Sequence, residues 1–143
     1  MPLNEPTPEF LSKLASITDS ATPTARYLEE PRGRYDGQGA AVVRPRSVRE
    51  VSEIVRLCNA HKIGVVPFGG GTGLVGGQTS ISGPKPVILS LERLNSIRDV
   101  DPADNILTAE AGVILADIQS AADDVQRLFP LSLASEGSCQ IGG

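Results

Sequence analysis

Tryptophan is absent, and aromatic residues are only 3% of this 143-residue chain. A platform for stacking successive bases of a single strand needs more of them. Lys and Arg number 13 against 17 Asp and Glu, a formal charge of -4 with no basic cluster. That balance argues against nucleic acid as the main partner. The lone histidine, His61, cannot supply a zinc site of Cys/His type. A Ser/His/Asp triad would rest wholly on that one residue, beside a helix end. Two cysteines, Cys58 and Cys139, make no disulfide scaffold, and a reducing cytoplasm is the expected compartment. No run approaches the ~18 apolar residues of a membrane span. The opening MPLNEPTPEF has neither the basic start and apolar core of a secretory leader nor the Arg-rich, acid-poor pattern of a transit peptide.

What remains is an ordinary globular composition, 40% hydrophobic and 21% charged. The length suits about one domain of roughly 100–200 residues. Glycine is the residue in excess: there are 15, and six occupy the nine positions 69–77.

Phe10, Leu11, Leu14 and Ile17 form an apolar stripe, and Pro8 suits a first turn, so a helix is expected over 8–18. Residues 19–39 are broken by Pro23, Pro31, Gly33, Gly37 and Gly39 and read as a turn-rich lead-in. The apolar run 40–43 reads as a buried strand. Ser47 and Glu50 fit a capping box, in which the Ser hydroxyl accepts from the amide three residues on and the Glu reaches back. Val48, Val51, Ile54, Val55 and Cys58 then predict a helix over 47–61. Residues 63–68 are a second strand. Strand, helix, strand implies a right-handed crossover with parallel strands. The glycine cluster therefore falls at the carboxyl end of a parallel strand, the edge where such sheets place ligands.

Pro84, Pro86 and the glycines at 76, 77 and 83 forbid a helix after the cluster. Strands are expected over 87–91 and 106–111, with a turn or strand start over 94–99. Leu115, Ile118, Ala122, Val125 and Leu128 predict a helix over 114–128. The fold class is α+β: a parallel βαβ subdomain over the first strands, then the start of a more antiparallel one. Residues 1–39 form the N-terminal helix and lead-in, and residues 40–143 the domain proper.

Glycines admit positive φ and close approach of a ligand to the backbone. Successive amides in such a turn make an anion-binding nest. Thr72 adds a hydroxyl, and no Lys or Arg stands nearby, which suits a diphosphate held by neutral donors. Residues Gly71 to Gly76 spell GxGxxG, but a dinucleotide fingerprint needs a helix opening at its end. The Gly-Lys-Ser/Thr of a P-loop is missing too. A mere connector would not carry six glycines, each costing up to about 1 kcal/mol relative to Ala.

Three segments together resemble a known family. They are Val42-Val43-Arg44-Pro45 leading to Pro67-Phe68-Gly69-Gly70-Gly71-Thr72-Gly73, then Ile106-Leu107-Thr108-Ala109-Glu110-Ala111-Gly112-Val113, then Ala134-Ser135-Glu136-Gly137-Ser138-Cys139-Gln140-Ile141-Gly142-Gly143. In this order they resemble the FAD-binding (PCMH-type) domain of the vanillyl-alcohol oxidase / p-cresol methylhydroxylase superfamily. The similarity covers about residues 26–143 and is nearest the D-lactate, glycolate and D-2-hydroxyglutarate dehydrogenase branch.

The resemblance implies FAD as cofactor and oxidation of a 2-hydroxy acid by hydride transfer to the flavin. It implies that Pro67, Gly69, Gly70, Gly71, Thr72 and Gly73 wrap the pyrophosphate. Leu74, Gly77 and Gln78 would continue toward the ribityl chain or flavin. Glu110, Ala111, Gly112 and Val113 would lie beside the adenosine half. Gly137, Ser138, Ile141 and Gly142 would meet the pyrophosphate and flavin side. No histidine stands in the glycine loop, so non-covalent FAD is expected. The family's substrate, metal and proton-accepting residues fall beyond this chain, which reads as an N-terminal fragment, inactive and marginally stable by itself. The electron acceptor is not implied. The alternative is a non-catalytic flavin- or nucleotide-binding module.

Other residues have plainer readings. His61 is expected at a helix end against the last carbonyls, and Cys139 as a small buried hydrophobe. Asp123 and Asp124 should face solvent, and Arg32, Arg34 and Tyr35 should be surface or packing residues.

Overall fold

The computed structural model describes residues 2–143. Its elements are α1 (Pro8–Ile17), β1 (Ser20–Ala21), α2 (Ala25–Leu28), β2 (Ala41–Val43), α3 (Val48–His61), β3 (Val65–Phe68), β4 (Val87–Ser90), β5 (Ile97–Asp101), β6 (Ile106–Ala109) and α4 (Leu115–Asp124). Two sheets result, one ordered β1-β2-β4-β3 and one of β5 and β6. β2 and β3 each run parallel to β4, and β1 is antiparallel to β2. The crossover through α3 thus spans a gap that β4 fills.

Placement in the middle explains why β4 is buried on both faces. On one face Val43, Val87 and Leu89 join Phe10 and Leu14 of α1 and Ile54 and Cys58 of α3. On the other, Val42 and Ile88 meet Tyr27 and Phe68, whose rings lie edge to face at 5.0 Å. The smaller sheet is a hairpin whose tip is tied to the exit of α4. Arg127 donates through Nε to Asn105 Oδ1 at 2.7 Å and through Nη2 to the Pro102 carbonyl at 2.8 Å.

Several expectations are corrected. The lead-in carries a two-residue strand and a single helical turn, too short to leave a periodic signal. α4 ends at Asp124 rather than 128, because Gln126 takes φ 57 and turns the chain away. Leu128 is consequently 84% exposed. The His61 ring packs edge-on against Phe10 at 5.4 Å rather than on the helix carbonyls.

The capping box is half formed. Ser47 Oγ accepts from the Glu50 amide at 3.2 Å. Glu50 does not return the bond to Ser47; its Oε2 accepts from the Arg46 amide at 2.9 Å and from Thr18 Oγ1 at 2.7 Å. The carboxylate thus joins the end of α1 to the start of α3. Those bonds, the Arg46 amide first and Thr18 second, hold its carboxyl below the ordinary value of 4.5. A lowered folded pKa gives stability that is present above the unfolded value and lost as pH falls through the folded one. Glu50→Gln is therefore expected to melt below wild type at neutral pH, with the gap closing as pH falls under 4.5. Melting curves across the acid range check this; a gap independent of pH would contradict it.

Candidate functional site

The glycine loop leaves the carboxyl end of β3, and residues 69–86 contain neither helix nor strand. The pattern from Gly71 to Gly76 is therefore not the strand-turn-helix of a nicotinamide domain. Phe68, 2% exposed, pins the loop's start into the core. Gly71 takes φ +71, and a Cβ there would meet Phe68 Cζ at 2.9 Å. Gly76 takes φ +74 beneath the Tyr35 ring, which is how Tyr35 is used. Gln78 Nε2 donates to the Gly71 carbonyl at 3.0 Å and closes the loop on itself. Among the described residues, the amides of residues 70–74 donate to no protein acceptor. A row of neutral donors of this kind can serve an anion.

A second wall comes from the other sheet. The Ile141 amide donates to the Val113 carbonyl at 2.9 Å and the Gly142 amide to the Ala111 carbonyl at 2.8 Å. The Leu115 amide donates to the Cys139 carbonyl at 3.1 Å. These bonds lay the end of the chain along the start of α4 and carry it to the glycine loop. A Cβ at Gly69 would lie 2.8 Å from Gly143 Cα. One at Gly70 would run into the Ser138 carbonyl oxygen and lie 2.9 Å from Cys139 Cα. Glycine at 69 and 70 is thus required by close approach of two backbones, not by φ.

Two clefts flank this seam. One of about 380 Å³ is lined by Pro67, Gly69, Gly70, Gly71, Thr72, Gly73, Gly77, Gln78 and Gly142, with Val75 and Gly143 beside them. The other, about 410 Å³, runs from Thr72 and Gly143 past Cys139, Gln140 and Ile141 to Leu115, Leu131 and Leu133. Neither is lined by a lysine or arginine. A larger cavity, about 680 Å³, lies elsewhere, between the β5–β6 hairpin and α4.

Not every candidate gathers here. Leu74 is 42% exposed and outside both linings. Glu110 turns its carboxylate away, accepting from Arg98 Nη2 at 2.8 Å and the Ser96 amide at 3.1 Å. Arg98 foremost keeps that carboxyl below its usual range. Val113 is 1% exposed, so its side chain belongs to the core. Gly112 is clamped against the Leu91 and Leu94 carbonyls. Gly137 and Ser138 are exposed, and Ser138 Oγ donates to the Ser135 carbonyl at 3.2 Å. Val75, Leu115, Leu131 and Leu133 line the clefts and were not site candidates, and Ser135, Gln140 and Gly143 of the third motif line them too. Cys139 is half-buried rather than buried. Asp123 and Asp124 are exposed, as are Arg32 and Arg34. Among the described residues no helix is long and apolar enough to cross a membrane.

Comparison with known proteins bears on this seam. A family profile described as FAD binding domain matches residues 39–143. The D-2-hydroxyglutarate dehydrogenase of Xanthomonas citri pv. viticola is 42% identical over 133 residues, covering 86% of this chain and 28% of that protein. The chain spans 20–28% of the length of the curated relatives it matches. An alkyldihydroxyacetonephosphate synthase structure aligns with TM-score 0.84 at 20% identity, over 99% of this chain and 29% of that one. A p-cresol methylhydroxylase structure aligns with TM-score 0.65 at 20% identity, over 81% of this chain and 24% of that one. At such identities the structures speak to fold alone, and the fold is the PCMH type that the three motifs imply. With most of its length matched by one profile, the chain belongs to the FAD binding domain family.

Proposed function

We propose that the seam between residues 69–78 and 138–143 holds FAD without a covalent link, as part of a dehydrogenase acting on a 2-hydroxy acid. The observation that carries this is the row of unpaired amides over residues 70–74, facing a glycine-lined cleft with no competing charge. The residues fit the cofactor's chemistry. A diphosphate carries only acceptors, and backbone amides backed by the Thr72 hydroxyl offer only what it needs. A side chain at Gly69 or Gly70 would fill the space between the two loops. Gly73, Leu74, Gly77 and Gln78 continue the first wall, and Ile141 and Gly142 the second. Ala111, Gly112 and Val113 support that wall through their backbone, and Glu110 holds the hairpin that carries it. In this reading residues 40–143 present the cofactor surface and residues 1–39 lead into it.

When bound, the flavin supplies the two-electron acceptor; the protein's share is binding and orientation. The 2-hydroxy acid class rests on the 42% identity to a D-2-hydroxyglutarate dehydrogenase. Titrating this chain with FAD should quench flavin fluorescence and shift its absorbance. An unchanged spectrum at saturating protein would sink the cofactor assignment. Dye reduction by D-2-hydroxyglutarate, D-lactate or glycolate, in a protein extended to its relatives' length, tests the substrate class. FAD binding with none of the three turned over would favour the non-catalytic module.

The two thiols give an independent reading of the same site. Burial raises Cys58 to about 11, leaving roughly one thiol in a thousand ionised at about pH 8. Cys139 is half-buried and lines the second cleft. Alkylation should modify Cys139 and spare Cys58, and saturating FAD should slow the Cys139 reaction at least about fivefold by covering it. Equal rates with and without FAD would place the cofactor elsewhere.

A further inference from the structure

We propose that Tyr35 and Gln38 are positioning residues for the cofactor cleft: they fasten the outer arm of the glycine loop, residues 74–83, to the body of the domain. The proposal rests on the FAD reading above and extends it to residues outside the family match, which begins at residue 39.

The arm has no anchor of its own. It contains neither helix nor strand. Its large apolar side chains, Leu74, Val75 and Ile81, are all exposed, so burial does not hold it. Two of its hydrogen bonds stay inside the loop, from the Thr79 amide to the Gly76 carbonyl at 3.0 Å and from Gln78 Nε2 to the Gly71 carbonyl at 3.0 Å. Among the described residues, the hydrogen bonds that tie residues 74–83 to the chain outside the loop are both donated by Gln38. Its amide donates to the Ser80 carbonyl at 2.8 Å and its Nε2 to the Gly83 carbonyl at 2.7 Å. Tyr35 supplies a third hold. Its ring covers Gly76, where a Cβ would lie 2.9 Å from Tyr35 Cε2.

The segment that makes these contacts is itself well fixed. Glu29 and Asp36 form an antiparallel bridge, and the Gly37 amide donates to the Leu28 carbonyl at 2.9 Å. Between them Glu30 is buried, and its Oε2 accepts from the Arg34 amide at 3.1 Å. The segment leaves α2, whose Tyr27 packs edge-on against Phe68. Phe68 also pins the start of the glycine loop, so the start and the outer arm are both referred to one buried cluster. Val75, Gly77 and Gln78 of the arm line the glycine-walled cleft, and fixing the arm therefore fixes one wall of it. A wall already in place spares a ligand the entropy of ordering it, whereas a mobile wall lowers the apparent affinity by the fraction of time it is out of place.

The test compares Tyr35→Ala, Tyr35→Phe and Gln38→Ala by amide hydrogen exchange without cofactor and by fluorescence titration with FAD. Tyr35→Ala should exchange the amides of residues 74–83 about tenfold faster and bind FAD about tenfold more weakly. The amides of β4 should keep their wild-type rates. Tyr35→Phe, which retains the ring, should restore wild-type behaviour in both measurements. Gln38→Ala cuts one tie, lies outside the two buried clusters, and should move both readouts the same way by a smaller factor. It also decides the matter if Tyr35→Ala fails to fold. Unchanged exchange over residues 74–83 in the alanine variants would overturn the fastening. Faster exchange with FAD affinity within about twofold of wild type would overturn the positioning role. Losses of the same size in Tyr35→Phe would overturn it too, since the ring is then not what holds the arm. Failure of the wild-type chain itself to bind FAD would overturn the cofactor reading and the positioning role with it, whereas normal binding by wild type and by the alanine variants overturns only the latter.

Discussion

Gly70→Ala should weaken FAD binding severely while leaving the fold intact. The added methyl would collide with the Ser138 carbonyl oxygen and lie 2.9 Å from Cys139 Cα. Both obstacles are backbone, so no side-chain rotation relieves them. The opposing turn cannot simply retreat, because the Ala116 amide holds the Glu136 carbonyl at 3.0 Å and the Leu115 amide holds that of Cys139 at 3.1 Å. Either the glycine loop moves out or the seam opens. In both cases the amides of residues 70–74 lose their common focus. A loss of about a hundredfold in affinity, ~3 kcal/mol, is expected. Stability should change little, since the loop lies outside the two buried clusters. Fluorescence titration beside a melting curve decides it: near-normal affinity would show that the seam is not the binding surface. Gly71→Val, the variant that backbone conformation singles out, should also block uptake, for a different reason. Gly71 sits at φ +71 and would drive its side chain into Phe68.

These two glycines mark how far the sequence reaches. The density of glycine after an apolar β-branched run announces a ligand loop, and the prolines behind it exclude the helix of a nicotinamide fold. Which glycine faces which backbone is a tertiary fact. Gly70 is adjacent to Ser138 only because the second sheet brings residues 138–143 back across the first. The parallel run of β2 and β3 was legible in the strand, helix, strand order, though not the placing of β4 between them. β1 was not, since two residues paired to Val42 and Val43 carry no period. At α4 the apolar spacing continues through Val125 and Leu128, and only the left-handed turn at Gln126 ends the helix. Glu50 shows a subtler failure. The box motif was present, but a tertiary donor, Thr18, and the nearer Arg46 amide took its carboxylate.

Phe10→Ala should have the opposite profile to Gly70→Ala: large on stability, small on cofactor affinity. Phe10 is 1% exposed and sits with Leu14, Ile54, Cys58 and the inner side chains of β2 and β4. Its amide donates to Thr7 Oγ1 at 3.2 Å, fixing the first turn of α1, and its ring receives the edge contact of His61. Truncating a buried Phe to Ala costs about 3–5 kcal/mol, from lost transfer and an unfilled cavity. Set against the ~5–15 kcal/mol that holds a typical domain together, that is a large share. A fall of roughly 10–20 °C in melting temperature follows for a chain of this size. The cluster lies on the face of the sheet opposite Phe68, which anchors the glycine loop. Below the new melting point the folded protein should therefore bind FAD within about threefold of wild type, and added FAD should recover part of the lost melting temperature by mass action. A variant that melts normally would show that α1 is dispensable to the first core. One that melts low and has also lost FAD affinity while still folded would show that the two faces of the sheet are coupled.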